Sequence, residues 1–257
     1  MNNTTRVDAM KRIAMITAAA TMVAASVAHP AAAQPSAGQA PPAANSAQTL
    51  SQKQQGIAPI SAATAVGDMP RLNQALNQGL DAGLTLSETK EILVQMYAYT
   101  GFPRSLNALG ELMKVVDARK QRGIQDAPGR EPGPVPKGQE LLELGTANQT
   151  KLIGAPARGA LYQFSPIIDE YLKSHLFGAI FARDNLDWQS RELATVGALA
   201  ALPGTESQLQ SHVAFSMNIG LTGPQLRQLA DVLAQRGYPE GAARARAAIV
   251  QVESAKK

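Results

Sequence analysis

The sequence predicts an all-α fold, and three observations carry that expectation. Apolar residues recur at helical spacing, no stretch alternates with a period of two, and Ala and Leu dominate over β-branched clusters. In "TKEILVQMYAYT" the helical spacing puts Ile92, Met96 and Tyr99 on one face. In "SRELATVGALAAL" it does the same for Leu193, Val196 and Ala200.

The N-terminal region stands apart from that pattern. Arg6, Lys11 and Arg12 precede the apolar run "IAMITAAATMVAASVA", and "AHPAAAQ" offers a small-residue cleavage site after Ala33. Residues 1–33 are therefore expected to be a signal peptide, which places the mature chain in the periplasm or outside the cell. An uncleaved membrane anchor is the alternative; after cleavage no membrane association is expected. His29 falls in this region and is set aside. Residues 34–56, rich in Ala, Pro, Ser and Gln, lack the apolar surface to offset ordering and are expected to be a disordered tether.

The next elements come as a repeat. "GLDAGLTLSETKEILVQMYAYTGFPRSLNAL" and "SMNIGLTGPQLRQLADVLAQRGYPEGAARA" both write Gly-Leu-Thr, a helix-length segment, then Gly-aromatic-Pro. Gly83 and Gly220 suit the left-handed turn that ends a helix. Thr85 with Glu88, and Thr222 with Gln225, have the spacing of a capping box, and Leu221 with Leu226 that of a hydrophobic staple. Gly101 and Gly237 end the following helix, and Pro103 and Pro239 open another. The expected units are residues 57–122 and 148–257, the second with an extra leading helix in "PIIDEYLKSHLFGAIF". A Pro/Gly-rich linker, residues 123–147, joins them. Each unit is small, so the two are expected to pack together.

Charge and composition exclude several functions. Losing Arg6, Lys11, Arg12 and Asp8 with the leader lowers the formal charge from +4 to +2. No basic run is interleaved with aromatics, so no nucleic-acid partner is expected. The chain has no cysteine, which removes disulfides, thiolate metal sites and thiol redox chemistry together. It has three histidines, one of them in the leader, so no metal or organic cofactor is expected.

At this point the motifs resemble the carboxymuconolactone decarboxylase family, over about residues 60–118 and 165–250. Arg191-Glu192, then His212, then Gly220 to Thr222, then Gly237 to Pro239 supply the pattern in the second segment. The resemblance implies an all-α fold of the alkylhydroperoxidase D type that assembles as trimers or hexamers. For two units per chain it implies a homotrimer or higher homo-oligomer. The redox branch of the family uses a Cys-x-x-Cys pair, whose positions here hold Thr205 and Gln208, so peroxidase activity is excluded. The other branch resembles 4-carboxymuconolactone decarboxylase, a cofactor-free lyase acting on a small cyclic carboxylate.

The resemblance implies His212 as general acid/base and Glu192 as its partner, with Arg191, Trp188 and His175 as candidate substrate-binding residues. Each has a plainer reading. His212 shares a helix face with Leu209, Val213, Ser216 and Met217, as a core histidine would. Glu192 suits a first-turn acid on the helix dipole, behind Asp187 as N-cap. Arg191 suits a helix-surface ion pair, Trp188 a packing anchor and His175 an interface or surface position. In the first repeat the positions matching His212 and Glu192 are Ala75 and Gln55, so that half keeps the turns and lacks the ionisable pair. A non-catalytic exported oligomer, serving as binding protein or scaffold, is the alternative function.

Overall fold

The computed structural model describes residues 48–255, and the expected signal peptide lies outside them. Among the described residues every regular element is helical. In chain order these are α1 (Gln52–Gln55), α2 (Ile57–Val66), α3 (Met69–Asp81), α4 (Leu86–Gln95), α5 (Tyr97–Thr100) and α6 (Phe102–Gln121). They continue with α7 (Gly138–Ile153), α8 (Ala160–Phe164), α9 (Pro166–Tyr171) and a π-helix, π1 (Leu172–Ile180). The last four are α10 (Trp188–Ala201), α11 (Glu206–Asn218), α12 (Gly223–Gln235) and α13 (Pro239–Ala255). None of these helices is long and apolar enough to cross a membrane.

Two helices form the centre. α10 is buried on every side from Ser190 to Ala201, not along one stripe, and α2 is buried from Ile57 to Ala65. A helix that is apolar all round belongs inside. Small residues let the two approach closely: a Cβ added to Gly197 would lie 2.8 Å from both the Cα and the carbonyl oxygen of Ala58. α3 and α6 flank α2, while α11 and α13 flank α10, and α12 also reaches α2. One continuous core therefore draws on both halves of the chain.

The turns follow the sequence closely. Gly83 and Gly220 have φ values of 97° and 98°. Leu84 N donates to Gly79 O and Leu221 N to Ser216 O, both at 2.9 Å, as a left-handed helix end requires. Thr85 and Thr222 each form a complete capping box, with Glu88 and Gln225 reaching back. Leu221 and Leu226 are both buried, as the staple requires. Gly101 and Gly237 also take positive φ, and Pro103 and Pro239 sit in the first turns of α6 and α13.

Three boundaries differ from expectation. The tether ends sooner than residue 56, because Leu50 is buried in the core and Ser51 caps α1 through a capping box with Gln54. The linker also ends sooner: α7 begins at Gly138, inside the Pro/Gly-rich stretch expected to run to 147. Its sequence "QELLELGTANQTKLI" buries Gly145, Gln149 and Leu152 against π1, a partner invisible to local pattern. Finally, the leading helix breaks into α9 and π1. The wide π1 turn accommodates a close approach, with Gly145 so tight that an added Cβ would lie 1.7 Å from Lys173 O. A second, smaller core forms there from Leu152, Leu176, Phe177, Ile180 and Phe181.

The α2–α10 crossing is testable against a helical glycine in open space. Gly197→Ala is expected to destabilise by about 1–3 kcal/mol through overpacking. Gly110→Ala in α6, where an added Cβ meets nothing within 4 Å, should stabilise by about 0.5–1 kcal/mol. Urea unfolding that moved both midpoints in the same direction would contradict the crossing geometry.

Candidate functional site

His212 and Glu192 meet across two helices. Asp187 caps α10, its Oδ1 accepting from Ser190 N at 2.7 Å, and this sets the register that turns Glu192 inward. α11 packs on α10 and brings His212 Nδ1 to 2.8 Å from Glu192 Oε2. His212 is 7% exposed and Glu192 is fully buried. A carboxylate on Nδ1 accepts its proton, orients the ring and leaves Nε2 as the working nitrogen. Glu192 Oε1 and Ser216 Oγ, one turn beyond His212, are buried with no hydrogen-bond partner among the described residues. The first-turn role read for Glu192 does not hold: α10 starts at Trp188, so Glu192 lies past the exposed N–H groups and uses its carboxylate on His212.

Arg191, the preceding residue, reaches α4 and is also fully buried. Its Nη2 donates to Glu91 Oε1 and its Nη1 to Gln95 Oε1, both at 2.9 Å. Nη2 also donates to Arg183 O at 2.6 Å. Glu91 receives Arg183 Nε at 2.9 Å and Asn185 Nδ2 at 3.3 Å as well, while Gln95 Nε2 donates to Thr195 Oγ1 at 2.9 Å. Burial pulls the Arg191 guanidinium below its usual range, and Glu91 opposes that. The carboxylate that Arg191 holds is thus the protein's own. This is an interior pair, neither a surface ion pair nor a group open to a ligand.

Aromatic rings border His212. Tyr99 stands edge-on at 5.6 Å and Phe215 at 5.1 Å between ring centroids. Burial first, and then the Glu192 carboxylate, push the Tyr99 phenol far above its usual range, so it stays protonated. Trp188 packs on the smaller core, edge-on to Phe181 at 5.8 Å, with Lys151 Nζ 4.6 Å above its ring. Tyr99 and Phe215 pack on the same core, but the ring beside Trp188 is Phe181 and not His212. His175 is exposed on π1 and rests 5.4 Å from Tyr97, apart from the Glu192–His212 pair.

Tyr99, Glu91 and Gln95 were not legible as site residues in the sequence. They come from α4 and α5, about a hundred positions before the residues they touch. Tyr99 carried one signal, a polar-tipped aromatic on an apolar face; its hydroxyl is buried with no hydrogen-bond partner among the described residues. Among the described residues no three His, Asp or Glu side chains converge as metal ligands would.

Residues 166–253 match the model of the carboxymuconolactone decarboxylase family. The matched span runs from α9 to within α13 and includes both Glu192 and His212. Tyr99, Glu91 and Gln95 lie outside it, so the N-terminal segment completes a site whose ionisable pair sits in the matched segment. No curated protein matches the chain.

Two outcomes test this geometry. Glu91→Ala strands a buried guanidinium and should cost about 3–5 kcal/mol, whereas Lys90→Ala, at the exposed Lys90–Glu131 pair, should cost under about 1 kcal/mol. Equal losses in thermal unfolding would refute an interior pair. For Tyr99 the sign follows from its raised pKa. The stability linked to its neutral form is complete below the ordinary tyrosine value of about 10 and is lost as pH rises towards the folded value. Tyr99→Phe should therefore flatten the fall in stability above about pH 10, measured by denaturant melts across that range.

Proposed function

We propose that the chain is a cofactor-free lyase of the carboxymuconolactone decarboxylase type, acting on a small cyclic carboxylate such as 4-carboxymuconolactone. The observation that carries this reading is the buried His212 Nδ1–Glu192 Oε2 contact of 2.8 Å inside the matched family segment. Loss of CO₂ breaks one carbon–carbon bond and leaves its electron pair on a conjugated enolate. That intermediate needs a donor aimed at the developing charge and an acid to protonate carbon.

His212, protonated on Nε2 and held through Nδ1, is the acid and regains its proton from solvent at its exposed edge. Glu192 stabilises the imidazolium and keeps the ring aligned. Tyr99 suits the donor role because its hydroxyl stays neutral at working pH and so has a proton to share. Phe215 supplies an apolar wall that strengthens these interactions by excluding water. Arg191 acts indirectly, anchoring α10 to α4 through Glu91.

Two further parts of the reading come from the sequence. Residues 1–33 support export, which widens the substrate class beyond the intracellular lactone to related cyclic acids. The paired Gly-Leu-Thr turns support two tandem units per chain and a homotrimer. A monomer by size exclusion with light scattering would exclude that assembly.

The catalytic test is turnover of 4-carboxymuconolactone and related carboxylated lactones by the purified chain, followed by ultraviolet absorbance. His212→Gln is expected to lower kcat by about 10²–10⁴-fold, the usual share of general acid–base catalysis. Unchanged turnover in that variant would refute the mechanism. Absence of turnover in the unaltered chain would favour the binding or scaffold function.

A further inference from the structure

A cavity of about 370 Å³ opens between α1, α2, α3 and α12, away from His212. Its walls include Gln52, Gln55, Ala75, Gln78, Gln235 and Arg236. Four of these positions are related to the Glu192–His212 site by register. The turns at Gly83 and Gly220 share φ, hydrogen bonds and capping boxes, and so align the two segments. Carried back along the chain, that alignment sets Gln55 against Glu192, Ala75 against His212 and Gln78 against Phe215. Aligning Gly101 with Gly237 sets Gln235 against Tyr99. The exchange is reciprocal. Tyr99 of the first segment borders His212 of the second, and Gln235 of the second segment lines the cavity of the first.

At the matched positions an acid, an imidazole and two aromatic rings stand as Gln, Ala, Gln and Gln. Replacing the imidazole with a methyl group opens room. Amides donate and accept hydrogen bonds and do not titrate near neutral pH, so this space lacks a proton-transfer group at those positions. Gln55 Nε2 is tied to Leu50 O at 2.9 Å, which steadies its amide, while the side chains of Gln52 and Gln235 have no bond to other described residues. Asp81 at the rim is held by Arg119 at 2.8 Å. Arg236 Nη1 donates to the Gln78 side-chain Oε1 and pairs with no carboxylate among the described residues. An adjoining cavity of about 290 Å³ shares Ala75, Gln78, Gln235 and Arg236.

We propose that this cavity is a second ligand site, one that binds without turnover, and that its ligand is a small polyhydroxylated carboxylate. The size suits a single small molecule. The amides match hydroxyl groups, which both donate and accept, and Arg236 is the one cation among the described lining residues that a carboxylate can claim.

Calorimetry on the full chain tests this with three probes: gluconate, glucitol, which has the hydroxyls without the charge, and hexanoate, which has the charge without the hydroxyls. Gluconate should bind saturably at one site per chain, with glucitol and hexanoate each at least about tenfold weaker. Ala75→Leu should abolish gluconate binding by filling the cavity. Arg236→Gln, at an exposed position that leaves folding intact, should weaken it about tenfold. His212→Gln should leave it unchanged. No saturable gluconate binding, equal affinity for glucitol, binding that survives both cavity variants, or binding lost in His212→Gln would each overturn the proposal.

Discussion

The buried Glu91–Arg191 pair is the constraint on which the rest of the molecule depends. Two opposite charges enclosed together are tolerable only when their remaining hydrogen-bonding capacity is met. Here Gln95, Arg183 and Asn185 meet most of it, at positions from α4 and the segment before α10. The pair therefore does more than join two helices. It fixes the rotation of α10 about its axis, and the next residue in the chain, Glu192, is aimed at His212 as a result.

That coupling makes the site a joint product of both halves. The family segment supplies the carboxylate and the imidazole; the N-terminal segment supplies Tyr99 beside them and the Glu91–Gln95 anchor behind them. An isolated C-terminal half would expose the apolar face of α10 that meets α2 and leave Arg191 without its counter-charge. The close crossing at Gly197 and Ala58 and the ion pair act together, one by packing and the other by charge.

Much of the fold was legible because its signals are local. A left-handed glycine, a capping threonine and a proline in a first turn depend on neighbours within four or five residues, and each was found where the sequence put it. His212 and Glu192 were legible from motif and helical face. The role of Arg191 was not: an Arg-Glu pair at a helix start reads the same whether its cation meets water, a ligand or a buried glutamate. α7 was hidden for a similar reason. Its polar-looking, Gly-preceded sequence becomes a helix because π1 covers one side of it.

The sequence by itself determined the helices' punctuation, the absence of thiol chemistry and the presence of one histidine on an inward face. Those are properties of composition and short-range sterics, and no tertiary contact can alter them. Only the tertiary structure decided which charges meet. Glu91 and Arg191 are a hundred positions apart and Tyr99 and His212 are 113 apart, and packing alone set those distances. The same packing turned α10 from an amphipathic stripe into a helix enclosed on all sides, because α2 covers the face that would otherwise meet water.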